Sequence, residues 1–207
     1  ALIEKETLDS NEFEELIQEF ENPDNQQVIG KDTCRDSLPE TKVDEETASK
    51  IVWLDAFITN IDRTFRNTNM LIWKKELWLI DHGAAFYFHH TWENWEKTAV
   101  SNFVYVKDHV LLPQASEMDE ANAFCKSKLN EENLNRLVDA IPESWLIWED
   151  LDATPDEIRA VYKQFLSLRL THSDNFVNEA KNAREIKRKK VLFILVLVFS
   201  INKNAFL

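Results

Sequence analysis

Two short apolar runs in the middle of the chain limit its possible folds most strongly. Residues 70–73 read Met-Leu-Ile-Trp and residues 77–80 read Leu-Trp-Leu-Ile, with the charged residues Lys74, Lys75 and Glu76 between them. Short apolar runs on either side of a polar break predict a small β-hairpin. Helical patterns occupy most of the chain on both sides of this hairpin. The sequence therefore predicts an α+β fold that is mainly α-helical.

The helix before the hairpin is predicted from apolar periodicity. Residues 43–58 place Ile51, Leu54 and Ile58 on one stripe at helical spacing, with Trp53 and Phe57 beside it. This predicted helix runs directly into the polar segment that precedes the hairpin. The end of the predicted helix therefore marks the start of the polar segment.

Later helices are predicted from their end signals. Asn130 is a favourable helix cap, and Pro142 stops the apolar stripe that follows it. Residues 154–157 read Thr-Pro-Asp-Glu, which combines a Thr cap, a Pro at the first helical position and a Glu three residues after the cap. Residues 174–190 predict a final polar helix that ends in a basic run.

Three polar residues flank the predicted hairpin in a pattern that favours phosphoryl transfer. Asp62 and Asn67 stand five residues apart before the hairpin, and Asp81 directly follows its second strand. Phosphoryl transfer from ATP needs positioning and charge neutralisation more than covalent help from the protein. An Asp near the acceptor hydroxyl can take its proton, while an Asn oxygen and a second Asp can hold Mg²⁺, which prefers oxygen ligands. The order predicts a catalytic Asp62, with Asn67 and Asp81 as metal ligands and ATP and Mg²⁺ as cofactors.

Neighbouring polar residues extend this candidate site. Arg63 can pair with a carboxylate or a phosphate through its planar guanidinium. Asn69 can act as a secondary ligand or as a turn former. His82 is interpreted as shaping the loop rather than binding a metal, because no second His stands at ligand spacing. We assign Arg63, Asn69 and His82 to the cofactor-binding part of the site.

These residues also have a purely structural interpretation. Asp and Asn are common in turns, so an Asp and an Asn five residues apart also arise by chance. The Asp81-His82-Gly83 sequence can simply end a strand. The joint occurrence of three suitable ligands with two apolar strands and a preceding apolar helix favours the phosphotransferase hypothesis.

Composition argues against several other classes of protein. The formal net charge is −13, which disfavours a general nucleic-acid binder. Gly30 and Gly83 are the two glycines of the sequence, so it contains neither common type of glycine-rich phosphate loop. Cys34 and Cys125 lack metal-ligand spacing and are interpreted as reduced thiols of a cytoplasmic protein.

Charge patterning divides the chain into three segments. Residues 1–42 are interpreted as an acidic helix and a polar connector, since residues 1–50 hold fifteen Asp or Glu against five Lys or Arg. Residues 43–180 are predicted to form the domain that carries the site. Residues 181–207 form a basic run and a short apolar tail. The apolar residues 191–201 fall short of the roughly 20 that span a bilayer, so a buried strand or helix, a partial anchor and a non-native end remain open.

The motifs resemble the HipA-like kinase family, in particular its compact bacterial branch. The resemblance covers about residues 43–170 and implies the C-terminal lobe of a two-lobed, protein-kinase-like fold with a short hairpin that carries the metal site. It implies ATP and Mg²⁺ between the lobes, Asp62 as the base, and Asn67 and Asp81 as metal ligands. The residues that carry it are 53–57 (Trp-Leu-Asp-Ala-Phe), 60–64 (Asn-Ile-Asp-Arg-Thr), 67–71 (Asn-Thr-Asn-Met-Leu), 77–83 (Leu-Trp-Leu-Ile-Asp-His-Gly) and 141–146 (Ile-Pro-Glu-Ser-Trp-Leu).

The sequence departs from this branch in two respects. Thr68 stands where the branch usually has Pro, and the N-terminal lobe is largely missing, since no phosphate loop or strand lysine is found and Lys31 lies in a polar loop. The prediction is a truncated or partial kinase whose acceptor is an unknown hydroxyl on a protein or small molecule. The alternatives are a non-catalytic kinase-lobe remnant that acts as a protein-interaction module, and a helical interaction domain without a site.

Overall fold

A small antiparallel sheet stands beside a larger helical body. The computed structural model describes residues 26–28, 43–74, 76–148 and 151–204, with side chains described within 43–193. Strands β1 (Gln26–Val28), β2 (Met70–Trp73) and β3 (Glu76–Leu79) pair in that order. Met70 pairs with Leu79 and Trp73 with Glu76, so the predicted hairpin is confirmed.

Six α-helices are described, and three 3₁₀ turns connect them. The long helix Ser173–Asn204 includes both the predicted polar helix and the residues that follow it. The 3₁₀ turns lie at Tyr87–His90, Val104–Asp108 and Glu143–Leu146. The helices are α1 (Glu45–Phe57), α2 (Trp95–Ala99), α3 (Met118–Lys128), α4 (Glu131–Asp139), α5 (Pro155–Thr171) and α6 (Ser173–Asn204).

Both predicted helix caps are confirmed. The Asn130 side chain accepts a hydrogen bond from the Asn133 N–H at 2.8 Å, at the start of α4. At the start of α5, the Glu157 N–H donates to Thr154 Oγ1 at 3.3 Å, and the Thr154 N–H donates back to Glu157 Oε2 at 2.7 Å. Each cap satisfies N–H groups that have no partner within the helix.

Helix α1 lies at the centre of the helical body. It contacts α3, α5 and α6, and its Trp53 is almost completely buried. The Trp53 ring stacks on Phe57 with centroids 5.0 Å apart and meets Phe176 of α6 edge-on at 5.5 Å. Its indole N–H donates to Asn122 Oδ1 at 2.9 Å, so this buried polar group keeps a partner.

The buried face of α1 differs from the predicted stripe. Leu54 is 37 % exposed, whereas Val52, Trp53 and Ala56 are buried along with Ile51. The prediction assumed one apolar face, as on a helix at the surface. Three neighbouring helices bury most of the circumference of α1 instead, and Leu54 lies on the part of its surface that stays exposed.

Arg169 of α5 fixes the C-terminal end of α1. Its guanidinium is fully buried and donates to the carbonyl groups of Ala56 and Phe57, and to those of Ala99 and Ser101. A cation at the end of a helix also interacts favourably with the partial negative charge there. Burial lowers the pKa of Arg169 to about 9. Arg169 therefore holds in place the end of α1 from which the following loop begins.

The two ends of the chain differ in part from the predictions. Residues 26–28, within the predicted connector, form the edge strand β1. The helix predicted within residues 1–22 lies outside the described residues. The tail continues α6 to Asn204, and Val191, Leu192 and Phe193 are exposed rather than buried. Among the described residues, no helix combines the length and the apolar character needed to cross a membrane.

Candidate active site

The loop between α1 and β2 is tied back onto the last turn of α1. The Asn60 N–H donates to the Asp55 carbonyl oxygen at 2.8 Å, and Asn60 Nδ2 donates to Asp55 Oδ1 at 2.9 Å. The Asn60 Oδ1 in turn accepts from the Asp62 N–H at 3.3 Å. The buried Asn60 side chain therefore connects the helix to the backbone of Asp62.

A fully buried carboxylate, Asp55, organises this loop. It accepts hydrogen bonds from Arg63 Nε at 2.5 Å and from His109 Nε2 at 2.9 Å, in addition to that from Asn60. Burial alone would raise the pKa of Asp55, but the hydrogen bonds from His109 and Arg63 and the charge of Arg63 outweigh it and hold the pKa below its ordinary value. Asp55 is therefore an ionised carboxylate with a complete set of donors.

His109 supplies its bond to Asp55 in the neutral form. The Leu111 N–H donates to His109 Nδ1 at 3.0 Å, so Nδ1 is an acceptor and the ring proton lies on Nε2. Two backbone contacts bring this segment to the loop: Thr64 and His109 form an isolated β-bridge, and the Val110 N–H donates to the Arg63 carbonyl at 3.0 Å. The 109–111 segment therefore contacts both the loop and the last turn of α1.

Arg63 connects the loop to both ends of the hairpin. Its side chain is buried, and Nη1 donates to the Asn69 carbonyl oxygen just before β2. Its Nη2 lies 3.1 Å from His82 Nε2, just after β3. Because a guanidinium only donates, His82 Nε2 must accept. Partial burial of the ring and the Arg63 charge hold the pKa of His82 below its ordinary value.

Asp62 collects two amide groups from the same loop. Its Oδ2 accepts from Asn67 Nδ2 at 2.6 Å and from Asn69 Nδ2 at 3.4 Å. The Thr64 N–H donates to the Asn67 carbonyl at 2.8 Å, and the Asn67 N–H donates to the Thr64 carbonyl at 3.2 Å. This turn places the Asn67 side chain next to Asp62, which stands five residues earlier in the chain.

The hairpin brings Asp81 to this cluster. The Ile80 N–H donates to the Asn69 carbonyl at 3.0 Å, and Asn69 Nδ2 donates to the Asp81 carbonyl at 3.3 Å. Asn69 and Asp81 both adopt left-handed backbone conformations, with φ of 46° and 50°. Such conformations are costly for residues other than glycine and often mark functional positions. The Asp81 side chain is exposed, and its Oδ1 accepts from the Gly83 N–H at 3.4 Å.

The donor set at this edge fits Mg²⁺ chemically. Asp62, Asn67 and Asp81 offer two carboxylates and an amide oxygen, which are hard ligands of the kind Mg²⁺ prefers. Within the described residues no group of three or more His, Cys, Asp or Glu side chains is placed to hold a metal. Mg²⁺ normally completes its shell with water and phosphate oxygens, so a protein needs to supply only one or two carboxylates.

Comparison with known families identifies the chain. A model of the HipA-like kinase family matches residues 31–179, well over half of the sequence. The chain belongs to the HipA-like kinase family. The matched region contains the loop, the hairpin and the 109–111 segment, and it extends beyond the predicted residues 43–170 at both ends. Comparison with curated proteins and with solved structures gives no match.

In this HipA-like kinase chain, the residues predicted for the site lie in one connected set of hydrogen bonds. Asn69 is the central member, because it contacts Asp62 and Asp81 through its side chain and Arg63 through its carbonyl oxygen. Arg63 was predicted to pair with either a carboxylate or a phosphate, and in the structure it pairs with a carboxylate. The complete set is Asp62, Arg63, Asn67, Asn69, Asp81 and His82.

Two residues that support the HipA-like site were missed by sequence reasoning. Asp55 is the one charged residue within the apolar stretch 51–58, and that isolation was an available signal, because a charge inside an apolar helix is usually paired. His109 lies 54 residues beyond Asp55 in a segment without a motif. No local pattern could have connected the two.

Proposed function

We propose that this HipA-like kinase chain takes part in ATP-dependent phosphoryl transfer, as a catalytic C-terminal lobe. Asp62 is the base, Asn67 and Asp81 bind Mg²⁺, and Arg63, Asn69 and His82 support the nucleotide side of the site. The acceptor is a hydroxyl group on a protein or small molecule. The observation that carries the proposal is the Asp62–Asn67–Asn69 cluster, joined to Asp81 through the hairpin.

The reaction forms one bond and breaks another. The acceptor oxygen bonds to the γ-phosphorus of ATP, while the bond from that phosphorus to the β,γ-bridging oxygen breaks and ADP leaves. The hydroxyl proton passes to the Asp62 carboxylate. Mg²⁺, when bound, neutralises charge on the phosphate oxygens.

The hydrogen bonds around Asp62 suit this role. Asn67 Nδ2 and Asn69 Nδ2 both donate to Oδ2, which leaves Oδ1 of Asp62 for the acceptor hydroxyl. Because the Asn67 amide nitrogen is used in this way, its Oδ1 is the atom able to bind Mg²⁺. The Asp81 carboxylate lies at the exposed edge, where a phosphate-bound ion can reach it.

Phosphate transfer from γ-labelled ATP to a mixture of Ser/Thr peptides tests the proposal. Replacing the base in Asp62→Asn should lower the transfer rate by about 10²- to 10⁴-fold, with the Asn67 and Asn69 amides still present. A variant as active as the wild type would overturn the assignment of Asp62.

The non-catalytic kinase-lobe module is the second candidate. The Arg63 guanidinium, one candidate contact for phosphate, is buried against Asp55, and this observation favours a lobe that binds without transferring phosphate. Binding of Mg·ATP without any transfer would support this candidate over the first.

A further inference from the structure

An exposed aromatic side chain lies inside the candidate catalytic loop. Phe65 stands between Asp62 and Asn67 and is 57 % exposed. The ammonium group of Lys187, on α6, lies 5.3 Å from the centre of its ring, within the range of a cation–π interaction. A helix from the C-terminal part of the chain therefore places a positive charge over the loop that carries the candidate base.

Two cationic residues adjoin Phe65: Arg66 follows it in the sequence and Lys187 lies over its ring, while the Asp108 carboxylate acts on the Lys187 charge from the turn packed against α6. Arg66, next to Phe65, is exposed, and residues 181–190 of α6 hold six basic residues and one acidic residue. Among the described residues, no carboxylate lies within ion-pair distance of Arg66 or Lys187. The whole chain has a net charge of −13, so this local excess runs against the overall composition.

We propose that Phe65, Arg66 and Lys187, here called the basic patch, bind an acidic peptide segment that carries the phosphoacceptor Ser or Thr. This inference rests on the proposed phosphotransferase function and specifies its substrate class. Arg66 and Lys187 would pair with Glu or Asp side chains, while the Phe65 ring covers the apolar part of the same segment. Phe65 stands three residues after Asp62 in the same loop, so a peptide held by the patch would lie beside the loop that carries the candidate base.

Peptide binding to the full chain tests the patch. The probes are a fluorescein-labelled Ser peptide rich in Glu and a matched peptide with Lys at the same positions, compared by fluorescence anisotropy. The Glu peptide should bind more tightly, and its affinity should fall between about 0.05 M and 0.5 M salt. Arg66→Glu and Lys187→Glu should each weaken binding about three- to tenfold.

Arg188→Glu is the matched control. It makes the same change in net charge one residue along α6, where Arg188 lies beside Glu185 at 3.5 Å, and it should change the affinity less than twofold. Equal weakening by Lys187→Glu and Arg188→Glu, or no preference for the Glu peptide, would overturn the patch. A labelled peptide of residues 4–21 that binds more tightly than the Glu peptide would assign the patch to the chain's own acidic segment, and would also overturn it.

The two proposals fail in distinguishable ways. Wild-type protein that is stabilised by Mg·ATP but has no preference for the Glu peptide contradicts the patch alone. Protein that fails to respond to Mg·ATP contradicts the phosphotransferase, whatever the peptides do.

Discussion

Arg63 Nε lies 2.5 Å from Asp55 Oδ2, and both side chains are fully buried. This pair joins the last turn of α1 to the residue that follows the candidate base, Asp62. Asp62 is itself half-buried. The buried side chain of Arg63 fixes the backbone next to Asp62, so buried contacts hold the loop in position.

Removing the carboxylate of this pair should be strongly destabilising. Asp55→Ala leaves the Arg63 guanidinium buried without its charge partner, and breaking a buried pair in this way costs about 3–5 kcal/mol. Urea unfolding followed by tryptophan fluorescence measures the change. Asp156→Ala removes a carboxylate that is 92 % exposed and pairs with Arg159 in α5, and it should cost less than about 1 kcal/mol. Similar losses in the two variants would show that Asp55 has no special role.

The same pair predicts a loss of stability in acid. Because the pKa of Asp55 is held below its ordinary value of 3.8, its contribution is fully present above that value. It is lost as the pH falls through the lower pKa of the folded state. The free energy of unfolding should therefore fall less steeply at low pH in Asp55→Asn than in the wild type. The same dependence of the free energy of unfolding on pH in both proteins would contradict this prediction.

The elements that the sequence predicted well are those with local signals. The hairpin, the Asn130 cap and the Thr154 capping box each depend on residues within a few positions of one another. Ile51 of the predicted stripe is buried, but the placement of Leu54 was wrong, because the burial of α1 depends on three helices that come later in the chain. Strand β1 was missed because Gln26 and Gln27 have no strand-like pattern, and their pairing with β2 is a tertiary contact.

The site shows the same difference between features with local signals and features that depend on distant contacts. The spacing predicted a site from Asp62, Asn67 and Asp81; in the structure Asn67 contacts the Asp62 carboxylate, and Asp81 joins them through its backbone carbonyl and Asn69. The support from Asp55 and His109 depends on a contact across 54 residues, for which spacing gives no information. The apolar tail could not be assigned either, because helix propensity alone does not decide whether a helix is covered.

His82 should titrate below its ordinary pKa of 6.5. Partial burial and the nearby Arg63 charge both disfavour the imidazolium form. The unfolded chain therefore binds more protons near pH 6, and this residue makes folding less favourable as the pH falls below 6.5. NMR titration of the imidazole C–H signals, with His82→Gln used to assign the resonance, measures the value. A pKa at or above 6.5 would be inconsistent with the contact to Arg63.

Cys125 should react slowly with alkylating reagents in the folded protein. Burial raises the pKa of its thiol from 9.0 to about 11, so little of the reactive thiolate exists near neutral pH. Iodoacetamide labelling at about pH 8, followed by mass spectrometry in a Cys34→Ser background, reports on Cys125 alone. The rate of Cys125 labelling should rise sharply when urea unfolds the protein. A folded-state rate equal to that in urea would contradict the burial of this thiol.

The response of the melting temperature to Mg·ATP tests the central claim most directly. The wild type should melt at a higher temperature with millimolar Mg·ATP, because a ligand that binds only the folded state stabilises it. Asp81→Ala should lose this shift, whereas Asp156→Ala, far from the site in sequence and exposed, should keep it. A wild type that shows no shift, or an Asp81→Ala variant that retains the full shift, would contradict a Mg·ATP site formed by Asn67 and Asp81.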